Sequence, residues 1–314
     1  MPHLKRNYFL NFYGGEPLLC IDLIKQTVSF LNKENKKLNK KASYSITTNG
    51  SLLSGESIQF LNEHRFSVVL SFDGYAQEEQ REKGSLEIIV PIIKELLNQP
   101  RINLEINSVF SPDTVGHLSK SIQFLMDLGA LNIHFSLNAM EPWNPASLQR
   151  LENELKKLRK KLLIHNKRKK SIPVINFRED PKKGIFFCTA GKDRLVLTPE
   201  EEIWGCFLFP DYFKEKERSP DYSKFFFGKL GNFIKDYEAQ YPHISTNYAW
   251  LSMDNFATAD MKCLMCPDLE NCTVCPINAA FSGLPLGLIP DHICRIQKMM
   301  SKEKRKFKEE KKSF

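Results

Sequence analysis

The sequence predicts an α/β fold: a parallel sheet backed by helices, followed by a small cysteine-rich unit. Two observations carry this. Five strand–helix alternations succeed one another between residues 8 and 137, and such repeats build a parallel sheet because each crossover needs room for a helix. Seven of the eight cysteines then fall between residues 188 and 294. The 314 residues, 42% of them hydrophobic, suffice for a core and for two units of unequal size.

The elements follow in order. The apolar, aromatic run 8–13 reads as a buried strand and leads into Gly14-Gly15-Glu16-Pro17, where two glycines let the chain turn sharply and a ligand approach closely. Residues 18–35 have helical spacing, with Leu19, Leu23, Val28 and Leu31 in line and Ile24 and Phe30 beside them. The lone Cys20 reads as a small buried hydrophobe on that helix. A strand over 42–47 ends in Thr48-Asn49-Gly50, and Ser54 is the expected N-cap of a helix over 54–63. A third strand, 66–71, ends in Phe72-Asp73-Gly74, and a helix over 85–98 follows. The fourth strand, 102–110, precedes a helix over 115–128 capped by Gly129; the fifth is 132–137. In such sheets ligands bind at the carboxyl ends of the strands. Gly-Gly-Glu-Pro, Asn49-Gly50 and Asp73-Gly74 all fall there. Each dipeptide alone is an ordinary turn signal, but three in register mark a site.

A charged helix over 148–166 and a strand-poor linker over 171–181 lead to the second unit. There a hairpin around Pro199 folds Cys206 back toward Cys188, and 225–232 form an apolar turn region. The cysteine order is Cys188, Cys206, Cys263-x2-Cys266-x5-Cys272-x2-Cys275 and Cys294. Short loops let neighbouring thiolates converge on a soft centre, and seven suffice for two iron–sulfur clusters with one position left over. One zinc site takes four ligands and would leave three cysteines without a task. Disulfides require an oxidising compartment, and the N-terminus has no secretory pattern. No apolar run approaches the length of a membrane span, so a cytoplasmic setting is expected. The net charge of +8 sits largely in the runs 156–170 and 302–312, read as solvated helix faces because no aromatic residues alternate with the basic ones.

From about Tyr8 to about Met300 the chain resembles the radical SAM superfamily, in its SPASM-domain branch. Gly14-Gly15-Glu16-Pro17 looks like the element that holds the amino group of S-adenosylmethionine, and the ends Thr48-Asn49-Gly50 and Ser71-Phe72-Asp73-Gly74 look like its next binding edges. The seven cysteines are similar to the SPASM pattern, except that two residues rather than three separate Cys272 from Cys275. The resemblance implies S-adenosylmethionine binding by Gly14, Gly15, Glu16, Pro17, Asn49, Ser71 and Asp73. It implies two auxiliary [4Fe–4S] clusters, the first held by Cys188, Cys206 and Cys275, the second by Cys263, Cys266, Cys272 and Cys294. Residues 189–205 offer no cysteine as a fourth ligand to the first. The implied partners are a peptide or protein substrate and a reductant such as flavodoxin or ferredoxin, with neither membrane nor nucleic acid.

The family's Cys-x3-Cys-x2-Cys loop belongs upstream of Gly-Gly-Glu-Pro, yet only 13 residues precede Gly14 and none is a cysteine. The expected architecture is therefore a partial (β/α) barrel without its first strand over 1–147, a bridging helix and linker over 148–182, a SPASM domain over 183–300 and a basic tail over 301–314. The strand 8–13 becomes an exposed edge. The leading expectation is a radical SAM peptide or protein maturase, seen here as an N-terminally truncated copy or completed by a second polypeptide. The alternative is an iron–sulfur binding or electron-relay protein that has lost radical chemistry.

Overall fold

The computed structural model describes residues 4–178, 188–258 and 289–312, and between them 263, 265–269, 272, 274, 275, 277, 281, 283, 284 and 286. The chain divides into two compact units, one of Met1–Asn138, Pro145–Arg178 and Glu303–Phe314, the other of Ala139–Asn144 and Glu179–Lys302.

In the first unit β1 (Asn7–Phe12), β2 (Lys41–Thr48), β3 (Ser67–Ser71), β4 (Asn103–Phe110) and β5 (Ile133–Leu137) form one sheet in sequence order, every pair parallel. The crossovers carry α1 (Ile21–Leu38), α2 (Gly55–Glu63), the short α3 (Gln77–Gln80), α4 (Ser85–Leu97) and α5 (Leu118–Asp127), and α6 (Pro145–Lys169) follows β5. Strand residues alternate between two faces. One face is apolar: Tyr44 and Ile46 of β2, Val68 and Leu70 of β3, Leu104 and Ile106 of β4, and Ile133 and Phe135 of β5 are all buried. Tyr8 and Tyr44 point their hydroxyls to Asn35 and Asn32 of α1, so this is the helix-covered face. Ser54 caps α2 as expected, its hydroxyl accepting from the Ser57 backbone N–H at 3.2 Å in a reciprocal capping box.

β1 is the outer strand and pairs only with β2 among the described residues. Beside it lies exposed apolar surface: Phe9 is 62% exposed, and Leu19, Leu23 and Phe30 of the first crossover are 74%, 62% and 59% exposed. The buried stripe of that crossover is Leu18, Ile24, Val28 and Leu31 instead. Cys20 is likewise exposed, against the expectation of a buried position. It sits at the N-cap of α1, where a short 3₁₀ turn over Pro17–Cys20 rotates Leu18 inward and leaves Cys20 outside.

Two further expectations change. The linker after α6 is not wholly irregular: Val174 makes a parallel bridge to Ile133, and a 3₁₀ turn spans Ile175–Phe177. The basic 302–312 run lies on a helix packed into the first unit. Phe307 is fully buried edge-on against Phe177, at 5.6 Å between ring centres, and Arg159 of α6 pairs with Glu303 at 2.8 Å and also with Glu310.

The second unit holds a small antiparallel sheet. β6 (Val196–Leu197) and β7 (Glu202–Trp204) form the expected hairpin, and β8 (Phe226–Lys229) pairs with β7 where a turn region was expected. Around the sheet run α7 (Phe209–Phe213), α8 (Tyr222–Phe225), α9 (Leu230–Lys235) and α10 (Tyr237–Thr258). Their core is aromatic. Trp204, Phe209, Phe213, Phe225, Phe227 and Tyr248 are buried, with Trp204 stacked on Phe213 at 5.7 Å. α11 (Asp291–Lys311) begins in this unit and ends in the first.

Candidate functional site

Glu16 leaves β1 in an extended conformation and its carboxylate turns back over the ends of β1 and β2. One oxygen accepts from the Leu18 backbone N–H at 3.1 Å and from the Thr48 hydroxyl at 2.8 Å; the other accepts from the Asn49 backbone N–H at 2.9 Å. Three donors fix its orientation. A Cβ built on Gly14 or Gly15 would meet nothing within 4 Å, so the turn opens onto free space. The Asn49 side chain closes its own turn, accepting from the backbone N–H and hydroxyl of Ser51 at 2.8 and 2.7 Å.

Asp73 has a different setting from Glu16. It is fully buried, accepts from Arg81 at 2.6 and 3.2 Å and takes the Val109 backbone N–H at 2.7 Å. Gln77 accepts from the Asp73 backbone N–H at 3.0 Å. Gly74, next in sequence, has φ +60°, and a Cβ there would lie 2.6 Å from the Ser121 Cβ, so the turn requires glycine. Asp73 therefore ties the ends of β3 and β4 to the α3 loop through Arg81. Asp73→Asn is expected to cost about 1.5–3 kcal/mol, the value of a charge-assisted hydrogen bond; Arg81, 28% exposed, regains some solvent. Urea unfolding of the two proteins measures it.

The sheet face opposite the helices is polar. Asn11, Ser45, Thr47, Ser71, Glu105, Asn107, His134 and Ser136 share it by strand register. Ser45 donates to Asn11 at 2.6 Å, and His134 Nδ1 lies 3.0 Å from Asn107 Oδ1. Burial pushes the His134 imidazole below its ordinary value and the Glu105 carboxyl above its own, the latter opposed by Arg178. His134 is thus neutral near pH 7, and its contribution to stability falls as pH drops through about 6.5, where the unfolded chain binds the proton more readily. Thr48, Asn107 and His134 were not assigned a role from sequence. The signal for Asn107 and His134 was polar residues at alternate positions of β4 and β5.

In the second unit, Ala190 donates its backbone N–H to the Cys188 sulfur at 3.4 Å, and the Gly191 N–H reaches the Gly205 carbonyl at 3.2 Å. The Tyr248 hydroxyl accepts from the Gly205 N–H at 2.9 Å and donates to the Phe225 carbonyl at 2.7 Å. Cys188 and Cys206 are thereby fastened to one aromatic wedge. Burial pushes the Cys206 thiol up to about 11; the Leu208 backbone N–H opposes this, and the nearby Cys275 and Cys188 reinforce it. Burial also raises the Cys272 thiol, against the Val274 backbone N–H and together with Cys294, Cys263 and Cys266. Successive turns, Cys266 N–H to the Cys263 carbonyl, Leu269 to Cys266 and Cys272 to Leu269, wind this segment. Cys294 donates its N–H to the Pro290 carbonyl at the start of α11. Cys188, Cys206 and Cys275 pack against the one aromatic core, and Cys263, Cys266 and Cys294 lie near Cys272. Among the described residues no group of three or more His, Cys, Asp or Glu side chains meets the geometry of a single-ion site.

No family model matches the chain. It is 32% identical over 127 residues to the cysteine-type anaerobic sulfatase-maturating enzyme of Clostridium novyi, covering 38% of this chain and 33% of that one. It is 29% identical over 115 residues to the radical SAM cyclopropyl synthase TigE of Paramaledivibacter caminithermalis, covering 36% and 24%. The chain thus matches a third or less of the length of these curated relatives. Among solved structures, native anSMEcpe with bound AdoMet and Kp18Cys peptide superposes with a TM-score of 0.73 at 17% identity, over 100% of this chain and 88% of that one. Over about a third of its length the chain is thus similar to radical SAM and sulfatase-maturating enzymes, and it shares the fold of an anaerobic sulfatase-maturating enzyme. No helix among the described residues is long and apolar enough to cross a membrane.

Proposed function

We propose that this chain acts in radical SAM chemistry on a peptide or protein side chain, with S-adenosylmethionine at the strand ends and two auxiliary [4Fe–4S] clusters in the second unit. The gathering of Cys188, Cys206 and Cys275 against one aromatic core, apart from Cys272 with Cys263, Cys266 and Cys294, carries the reading. Such clusters take thiolate ligands. The set of four, Cys263, Cys266, Cys272 and Cys294, fits a fully ligated cluster, and Cys188, Cys206 and Cys275 fit one with an iron open to a further ligand. When bound, these groups supply one-electron transfer. Glu16 orients and pairs the amino group of S-adenosylmethionine, while Gly14 and Gly15 keep the backbone clear of it. Asn49 and Ser71 border the same space, and Asp73 supports it by holding Arg81. Peptide substrates are supported by the peptide-bound neighbour, and electrons come from a flavodoxin- or ferredoxin-class donor.

Reductive cleavage of S-adenosylmethionine needs a further cluster on Cys-x3-Cys-x2-Cys, a spacing these 314 residues do not contain. The outer edge of β1, beside exposed Phe9, Leu19 and Leu23, is able to accept a further strand. The second reading is an iron–sulfur protein that docks a peptide and relays electrons. Anaerobic reconstitution with iron and sulfide is expected to load about eight irons per chain. Cleavage of S-adenosylmethionine to 5′-deoxyadenosine is expected only after a cluster-bearing segment is joined to β1. Iron loading with no cleavage by that completed protein selects the relay reading.

A further inference from the structure

α1 carries three faces of different chemistry. Ile24, Val28, Leu31 and Asn35 are buried, and Leu23 and Phe30 are exposed on a second face. On the third, Lys25, Ser29, Asn32 and Lys36 recur every three or four residues and form one stripe. Together with Lys33 this stripe lines a cavity of about 510 Å³, to which α2 contributes Phe60 and His64. The cavity lies on the helix-covered side of the sheet, where the Tyr44 hydroxyl donates to Asn32 Oδ1 at 2.8 Å. Every polar residue of the lining keeps a group that can donate: three ammonium groups, the Ser29 hydroxyl, the Asn32 amide NH₂ and the His64 imidazole. No carboxylate lines it. Lys25 is paired with exposed Glu56 at 2.5 Å. Lys33 and Lys36 have no ion-pair partner among the described residues. Like charges three residues apart on a helix repel, so the pair does not stabilise α1 by itself. Phe60 is half-buried, its ring centre 4.7 Å from that of His64 and 5.8 Å from that of Phe66.

We propose that this cavity binds a small organic phosphate, its phosphate groups on Lys33 and Lys36 and its ring on Phe60. The volume suits a small molecule. Lysine meets phosphate as a point charge, whereas a carboxylate is best matched by the planar fork of arginine, and no arginine lines the cavity. Phe60 beside the cations offers an apolar face on which a flat ring stacks. The site is separate from the strand ends, and its occupancy does not depend on S-adenosylmethionine.

The test is titration calorimetry of the anaerobically reconstituted chain with pyrophosphate, uridine and uridine diphosphate. Uridine diphosphate is expected to bind about 10-fold more tightly than pyrophosphate, because its ring adds the contact with Phe60. Uridine alone is expected to give no measurable heat. The double variant Lys33→Gln, Lys36→Gln is expected to lose about 10-fold in affinity for both phosphates. Both lysines are exposed, so the fold is kept. Phe60→Leu is expected to abolish the advantage of uridine diphosphate over pyrophosphate. Lys37→Gln is the control and should change nothing, since Lys37 pairs with Glu34 at 2.6 Å and does not line the cavity. No binding of either phosphate by the wild-type chain, or unchanged affinity in the double variant, overturns the proposal. Equal affinity for pyrophosphate and uridine diphosphate overturns the placing of a ring on Phe60.

Discussion

Cys272→Ser is expected to halve the iron of the reconstituted chain, from about eight to about four atoms, because one cubane cluster has four thiolate positions. Cys272 is half-buried beside Cys263, Cys266 and Cys294, so its loss strikes the set of four. Cys206→Ser is expected to strike the other set, where Cys188 and Cys275 are its neighbours. The two losses are independent in iron content, and the double variant should retain almost none. Cys20→Ser is the control: exposed at the start of α1, it should leave iron unchanged. Iron and sulfide analysis with electron paramagnetic resonance of the reduced protein distinguishes the outcomes. Equal loss of all iron from Cys206→Ser and Cys272→Ser would mean one shared centre and would end the two-cluster reading.

Glu16→Gln is expected to weaken S-adenosylmethionine binding by about 10–100-fold, the value of a charge-assisted hydrogen bond lost in a sheltered site. The amide keeps the shape, but it removes the negative charge and places an NH₂ against donors. The Leu18 N–H faces one carboxylate oxygen and the Asn49 N–H the other, so either amide orientation sets donor against donor. Thr48→Val should produce a smaller loss, since Leu18 and Asn49 still hold Glu16 in place. Equilibrium binding under anaerobic conditions measures both. Unchanged affinity in Glu16→Gln would place the amino-acid end of the ligand elsewhere.

The strand–helix alternation was readable because each element carries its own period and its own cap, as Ser54 does for α2. Gly-Gly-Glu-Pro was readable as a turn at a strand end because two adjacent glycines free the backbone to bend. Cys20 was misplaced because helical spacing alone does not say which side of a helix meets the sheet; the 3₁₀ turn before α1 decided that. β8 was missed because its four residues, Phe226–Lys229, are too few to show alternation.

Residue order alone determined the parallel sheet, the position of the turns at its carboxyl edge and the concentration of thiols in the last third. These follow from local patterns of polarity, glycine and cysteine spacing. Only the folded chain decided which distant groups meet. Thr48 reaches Glu16 across 32 residues, and strand register sets Ser71, Asn107 and His134 in one row. Packing also brings Cys188, Cys206 and Cys275 against the same aromatic core, although they are far apart in sequence. The reason is physical: register and side-chain partnership arise from long-range packing, which no window of neighbouring residues contains.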